Sequence, residues 1–173
     1  GVPADKKMGY DWFIKASEAG LPEAMRYIGD YYAQADMGND CVKAIEWYMK
    51  AANAGDTQSI KPIGVMVMKD ECAGADNGAV AEWIKKTADN NIADACFYMG
   101  GFYVTGAGVA KNPRRGMDYL IRDREIGDYR GTQRNFSTNN LFALYNSGDL
   151  QEADKKRLLE WFERTAVKTN DDE

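Results

Sequence analysis

EWYMKAANAG, at Glu46–Gly55, is written again with variations as DWFIKASEAG at Asp11–Gly20 and EWIKKTADNN at Glu82–Asn91. Fainter copies, DYLIRDREIG and EWFERTAVKT, begin at Asp118 and Glu160. Each copy puts an acid directly before an aromatic. With the aromatic as a ruler, Trp12, Trp47, Trp83, Tyr119 and Trp161 follow one another at intervals of 35, 36, 36 and 42 residues. Periods of this size belong to stacked helical pairs, because one helix–turn–helix unit takes up about that length.

Other positions lock to the same ruler. Seven residues before each aromatic stand Asp5, Asp40, Asp76, Asn112 and Asp154. All five are favoured helix N-caps, whose side-chain oxygen takes an otherwise orphaned backbone N–H. Pro113 after Asn112 suits the first helical position. Eight residues beyond the aromatic come Gly20, Gly55, Asn91 and Gly127, which tolerate the left-handed conformation that ends a helix. Each copy is therefore predicted to be one capped helix.

A second helix lies between copies. Its marks are Ala24, Ser59, Ala95 and Gly131 at +12 from the ruler, and Ile28, Ile63 and Met99 at +16. Gly29, Gly64 and Gly100 stand at +17, then Tyr32, Val67 and Tyr103 at +20. Offsets of 12, 16, 17 and 20 form one apolar stripe at helical spacing, with small residues where a neighbour can approach closely. The tryptophans and tyrosines are expected in the packing between helices.

EAMRYIGDYY…NDCVKAIEWYMKAANAGD and ADACFYMGGFYVTGAGV resemble Sel1-like repeats, relatives of tetratricopeptide repeats. The distinctive marks are the turn Gly106-Ala107-Gly108-Val109, the start from Asp40 to Lys43-Ala44, and the 36-residue step. The resemblance covers residues 5–128 and implies an all-α, right-handed α-solenoid of stacked antiparallel helix pairs. About nine helices are expected, beginning with a lone second-type helix at Asp5. Residues 129–173 are expected to form a divergent fourth repeat and a C-terminal capping helix, continuous with the array. Two departures stand out. The second unit places Pro62 in its first helix and reads CAGADNGAV where the Gly-x-Gly-Val turn belongs, so Pro62 either opens that helix or kinks it. The fourth unit is six residues longer and, kept in register, puts Phe136 and Asn139 at its marks.

Composition and residue chemistry narrow the function. The 173 residues carry a net charge of −5 and a pI near 4.9, which disfavours nucleic acid as partner. No apolar run suits membrane insertion; IGVMVM at Ile63–Met68 is far too short. There is no histidine, so the usual neutral-pH base and commonest transition-metal ligand are missing. No C-x-x-C pair or S-x-x-K motif occurs. The repeated acids Asp11, Glu46, Glu82, Asp118 and Glu160 recur once per unit, too far apart for paired acid–base work, and are expected on solvated or salt-bridged flanks. RDREIGDYR at Arg122–Arg130 is read as surface ion pairing. DMGND at Asp36–Asp40 lacks the later glutamate of a calcium loop. No catalytic residue, metal site or cofactor is assigned, and the chain is read as a non-enzyme.

The three cysteines divide. Cys96 reads as a small buried residue; the helix-to-helix disulfide of the cysteine-rich Sel1 branch lacks its partner, since Ser17, Ala52, Ala88 and Arg124 occupy that place. Cys41 opens one helix and Cys72 follows the end of the next antiparallel one, so both fall at one edge of the array. Either they bond, which would favour an oxidising compartment such as the bacterial periplasm, or they are free thiols in a reduced cytoplasm.

The resemblance implies that the first helices line a concave side. The stripe opposite their packing marks carries Arg26, Asp30, Ala33 and Gln34; then Lys61, Val65, Met68 and Lys69; then Phe97, Gly101, Val104 and Thr105. In unshifted register the fourth unit adds Gln133, Ser137, Asn140 and Leu141. Val65, Met68, Phe97 and Val104 are not needed for each helix pair's own core, so with Arg26, Asp30, Lys61 and Lys69 they form the candidate partner-binding surface. The partner is expected to be another protein. Relatives implied by the resemblance include bacterial adaptors and immunity proteins that neutralise secreted toxins, so a toxin or an envelope protein is the expected target. The rival reading is an enzyme or binder for a cell-wall or β-lactam-like small molecule, because the cysteine-rich branch has been linked to penicillin binding.

Overall fold

The computed structural model describes residues 6–34, 40–127 and 133–170. Among them run nine α-helices: α1 (Lys6–Glu18), α2 (Pro22–Ala33), α3 (Cys41–Asn53), α4 (Ile60–Lys69), α5 (Asn77–Asp89), α6 (Ala93–Thr105), α7 (Pro113–Ile126), α8 (Gln133–Asn146) and α9 (Glu152–Asn170). A single 3-10 turn, Thr57–Ser59, leads into α4, and no strand occurs among the described residues. Odd-numbered helices carry the ruler, and even-numbered ones are the first helices of each unit. The chain is a right-handed solenoid of stacked antiparallel helix pairs.

Sequence-level capping chemistry explains most of the boundaries. Asp40, Asp76 and Asn112 each accept the backbone N–H three residues on, from Lys43, Ala79 and Arg115, at 3.0, 3.0 and 3.1 Å. Gly20, Gly55 and Asn91 take φ of 86°, 110° and 62°, the left-handed stop expected of them. Two expected signals behave otherwise. Gly127 caps α7 in an extended conformation with φ −75°, and Asp154 is no cap, because α9 begins two residues earlier at Glu152. Asp154 is instead a buried residue of the first turn, 3.4 Å from Arg114, which holds α9 against the start of α7. Pro62 lies in the first turn of α4, where its missing N–H costs no helical bond. Asp5, Gly131 and residues 36–39 of DMGND lie outside the described residues.

The glycine marks sit at helix contacts. A Cβ on Gly29 would stand 2.6 Å from the Tyr48 ring, and one on Gly100 would stand 2.7 Å from Leu120 Cγ. Tyr48 and Leu120 each follow a ruler aromatic directly, so the same joint recurs in the first and third units. The second unit breaks the pattern. A Cβ on its Gly64 would run into the Tyr98 ring of α6 rather than into α5, and α4 packs more extensively on α6 than on its own partner.

The ruler aromatics are not the core. Trp12 is 65% exposed, Trp47, Trp83 and Tyr119 are half-buried, and only Trp161 is buried. The buried positions are their neighbours: Tyr48, Ile84 and Leu120 one residue on, with Ala44, Ala81 and Met117 on the same inward side. The ruler stitches units together. Trp83 Nε1 donates to Asn53 (3.3 Å), Tyr119 Oη to Asp89 (3.1 Å) and Trp161 Nε1 to Glu125 (3.2 Å). Each acceptor lies six residues beyond the preceding ruler aromatic. Trp47 differs, carrying Lys50 Nζ 4.2 Å above its ring.

Counted back from Trp161, the fourth unit keeps the offsets of the others, with its six extra residues falling before Ser137. Ser137 stands 24 residues before Trp161 (161−137), as Ser59 does before Trp83 (83−59) and Ala95 before Tyr119 (119−95). Ser137, Leu141 and Tyr145 thus occupy the small, aliphatic and tyrosine marks; Ser137 and Leu141 are buried, which corrects their expected place on the outer stripe. The glycine place falls to Phe142, which is 51% exposed and stacks on Phe162, which follows the ruler Trp161, with centroids 4.5 Å apart. Most of the buried apolar residues form two clusters, one from α3 to α6 and one from α7 to α9, and Phe97 packs against both.

Gly29→Leu, Gly64→Leu and Gly100→Leu should each destabilise the protein by about 1–3 kcal/mol, because a side chain has no room at these contacts. Gly9→Ala, with nothing within 4 Å of the added Cβ, should be neutral or stabilise α1. Chemical denaturation of the four variants checks this; equal midpoints for the Gly9 and Gly100 variants would refute the close-contact assignment.

Candidate functional site

The first-helix face begins on α2 with Arg26 and Asp30, both engaged inside the protein. Arg26 Nε lies 2.8 Å from Asp56 Oδ2, and its Nη1 lies 3.7 Å from Asp30. Its guanidinium also covers the Tyr27 ring at 4.8 Å. Asp56 is buried, caps the 3-10 turn through Gln58 N, and accepts from Ser59 Oγ at 2.9 Å. Asp30 accepts from the buried Tyr48 hydroxyl at 2.8 Å. Burial, then the hydrogen bond to Asp30 and its charge, hold the Tyr48 phenol far above its ordinary range, so it stays a donor. This network ties α2 to α3 and to the turn before α4. Periodicity did not reveal it, although Asp56 directly after the Gly55 stop was a legible capping signal.

The α4 and α6 segments are more open. Lys61, Met68 and Lys69 are exposed and Val65 is half-buried. Met68 Sδ and Cε would stand 3.2 Å from a Cβ on Gly101, so the thioether lies directly over α6 at its glycine. Lys69 pairs with Glu71 at 3.3 Å, and Lys61 makes no ion pair with any described residue. Phe97 is half-buried, with its ring edge-on to Tyr98 at 5.1 Å. Val104 is also half-buried, but its Cγ2 would be 2.6 Å from a Cβ on Gly116. It therefore fills the α6–α7 joint of its own pair, contrary to the expectation that the pair's core did without it.

Elsewhere the charged clusters are structural. Asp11, Glu46, Glu82 and Glu160 are exposed, and Asp118 pairs with Arg157 at 2.7 Å. Arg122 reaches from α7 to the end of α5, donating to Asn91 Oδ1 and the Asp89 carbonyl at 2.6 and 3.2 Å. Asp123 is not a surface residue, as the reading of RDREIGDYR would have it; it is buried and accepts a hydrogen bond from Ser137 Oγ of α8. It occupies the position that Ala51 holds in α3, four residues after the ruler, which faces inward. Cys96 is fully buried, contacts the Ala88 carbonyl at 3.5 Å, and has its thiol pushed up to about 11 chiefly by burial, so it is a poor nucleophile. Among the described residues no group of three or more His, Cys, Asp or Glu could hold a metal ion, and no helix is long and apolar enough to cross a membrane. Cys41 and Cys72 are joined by a disulfide, with Cα atoms 5.7 Å apart.

The Gly106–Val109 turn has both glycines at positive φ, 89° and 66°. Gly108 brings backbone so near α5 that a Cβ would stand 2.4 Å from the Asn77 carbonyl oxygen. A family model described as Sel1 repeat matches residues 1–21, 22–56 and 93–122. The chain is a Sel1-like repeat protein. The unmatched stretch between 56 and 93 holds α4 and α5, the Sel1 unit in which that turn is replaced and the helix pairing is altered. Among solved structures, a protective antigen present in uropathogenic Escherichia coli strains, displaying an SLR fold, is similar with TM-score 0.62 and 24% identity. That alignment covers 94% of this chain and 34% of the antigen. A Sel1 repeat protein from Oxalobacter formigenes is similar with TM-score 0.60 and 25% identity, over 91% of this chain and 63% of the other. This chain thus spans less than two thirds of either relative. No curated protein matches it in sequence. Sel1 repeats mediate protein–protein interaction, typically as non-enzymatic scaffolds.

Arg26→Met should cost about 2–4 kcal/mol, less than a fully buried pair because the guanidinium is partly exposed, since it leaves the Asp56 carboxylate buried and unpaired. Changing Asp56→Asn as well should recover part of the loss in urea denaturation; strictly additive losses would show that the two side chains act independently. Tyr119 and Tyr98, both raised to about 12 chiefly by burial, predict an alkaline limit. The unfolded chain ionises near pH 10 and the folded one near 12, so their stabilisation is complete below pH 10 and falls as pH rises from 10 to 12. Tyr98→Phe should shallow that decline, and an unchanged pH–stability slope would sink the assignment.

Proposed function

We propose that this chain is a non-enzymatic binder, an adaptor or a toxin-neutralising protein of the immunity type, that grips another protein on its first-helix face. The observation that carries the reading is Met68: a thioether side chain 40% exposed on α4, lying over Gly101, with Lys61 and Lys69 on the same helix. Flexible, polarizable apolar side chains ringed by charge suit protein contact surfaces. The acids Asp30 and Asp56 are held by Tyr48 and Arg26 inside the protein, while Lys61 is exposed on α4 with no ion pair to any described residue. An acidic, partly apolar patch of a partner, on a secreted toxin or an envelope protein, fits this arrangement.

Met68 and Lys61 are the clean probes, because Phe97 also packs against both cores and Val104 against Gly116. Met68→Ala should weaken partner binding by about 1–3 kcal/mol with unchanged melting. Lys61→Glu should slow association, with added salt narrowing the difference from wild type. Glu46→Lys, on an exposed flank of α3, should change little. Surface-capture kinetics with the native partner provide the measurement. Wild-type binding by both face variants, with loss on an α3 or α5 flank substitution, would place the partner elsewhere.

A further inference from the structure

The disulfide stands where the neighbouring unit uses a glycine. Cys72 lies 36 residues before Gly108, and Cys41 lies 36 before Asn77, the residue whose carbonyl Gly108 approaches. Asp70, also 36 residues before its counterpart Gly106, holds the same left-handed end of a first helix at φ 52° without being glycine. One unit closes this joint by removing a side chain; the other closes it with a covalent bond. A non-glycine residue at positive φ persists only where its surroundings impose it.

Beside the bond, Val42 lies against Gly74, and Cys72 is packed in the core. Asn77 Nδ2 donates to Asp70 at 2.9 Å, and Glu71 N bonds back to Met66 O at 3.1 Å. The helix that ends here, α4, packs more on α6 than on its own partner α5. Two thiols need more room than a bonded pair of sulfurs, so severing the bond pushes apart backbones set by the bond.

We propose that the Cys41–Cys72 bridge is a redox-operated clasp that fixes the end of α4 and, with it, the Met68–Lys69 end of the binding face. A dithiol reductant opens it by thiol–disulfide exchange. The reductant's thiolate attacks Cys41 Sγ, because Cys41 is half-buried whereas Cys72 is only 2% exposed. This forms a mixed disulfide and expels the Cys72 thiolate, which takes up a proton. The reductant's second thiolate then displaces Cys41, which is protonated in turn. The protein gains two electrons and two protons, and the dithiol leaves as a disulfide. The opening of the joint stands by itself; its consequence for binding rests on the reading of the first-helix face given above.

Amide hydrogen exchange of the whole protein, before and after dithiothreitol without denaturant, tests the clasp. Reduction should speed exchange of residues 60–76 about tenfold or more while α6 and α7 keep their rates, because local opening is confined to one joint. A C41S/C72S variant should exchange fast with or without dithiothreitol. The clasp is overturned if residues 60–76 exchange alike in both redox forms, if all helices accelerate together, or if the bridge yields only once the protein is unfolded. A partner whose binding is weakened by Met68→Ala but is equal for both redox forms would leave the binding face standing and remove the clasp's control of it. A clasp that opens as described, with Met68→Ala without effect, would instead refute the face alone.

Discussion

The spacing between the two helices of a unit is the constraint on which the rest depends. A side chain following the ruler aromatic, Tyr48 in the first unit and Leu120 in the third, lies on the bare backbone of a first-helix glycine. The contact removes the layer of side chains that would otherwise separate the helices, so axes close up and dispersion contacts multiply. Everything repeated with the same period serves this approach. Asp40 and Asn112 start the second helices in phase, and the ruler aromatics tie each second helix to the one before. In the fourth unit Phe142 occupies the glycine place, and the joint becomes a ring stack against Phe162, with Phe142 half in solvent.

Much of this was legible from the amino-acid sequence because period and chemistry coincide. A capping oxygen, a glycine and an aliphatic at fixed offsets each report a local physical need, and repetition shows that the need is structural. What repetition cannot report is which way a position faces. The ruler aromatics recur as faithfully as core residues, yet they lie on the flank, because an indole or phenol that hydrogen-bonds its neighbour once per unit is as periodic as a buried one. The fourth unit was misread for a related reason. A register carried forward from Tyr119 put Asn139 at a core mark; counting back from Trp161 puts Ser137, Leu141 and Tyr145 there, since the extra residues fall before Ser137. Asp154 fails as a cap at that same end, where it meets Arg114 instead.

Of the eight residues expected on the binding face, Arg26, Asp30 and Val104 serve internal structure. Arg26 looks exposed on a helical wheel, but Asp56, thirty positions away, is buried beneath it at the mouth of the next unit. Long-range polar pairing leaves no trace in local periodicity. Val104 is engaged for a different reason: Gly116 opens a notch in α7 that a γ-methyl fills. Lys61 and Met68 stay available because α4 is displaced toward α6, so its outer turn overhangs Gly101 rather than packing on α5.

That displacement also changes how the units hold together. In a solenoid each unit contacts only its neighbours, so stability is close to a sum over joints, and a weak joint divides the array into blocks. Here α4 has the altered pairing, yet the array does not divide there, and α6 and α7 are closely joined at Gly100–Leu120 and Val104–Gly116. The reason lies in Tyr98, whose ring covers Gly64 and draws α4 into the α3–α6 cluster, so the weak α4–α5 pair is bypassed by an α4–α6 contact. Phe97 touches both buried clusters, and its neighbour Tyr98 anchors α4. Two adjacent aromatics on α6 therefore couple the divergent second unit to the C-terminal half, and a partner pressing on Phe97 would load both clusters at once.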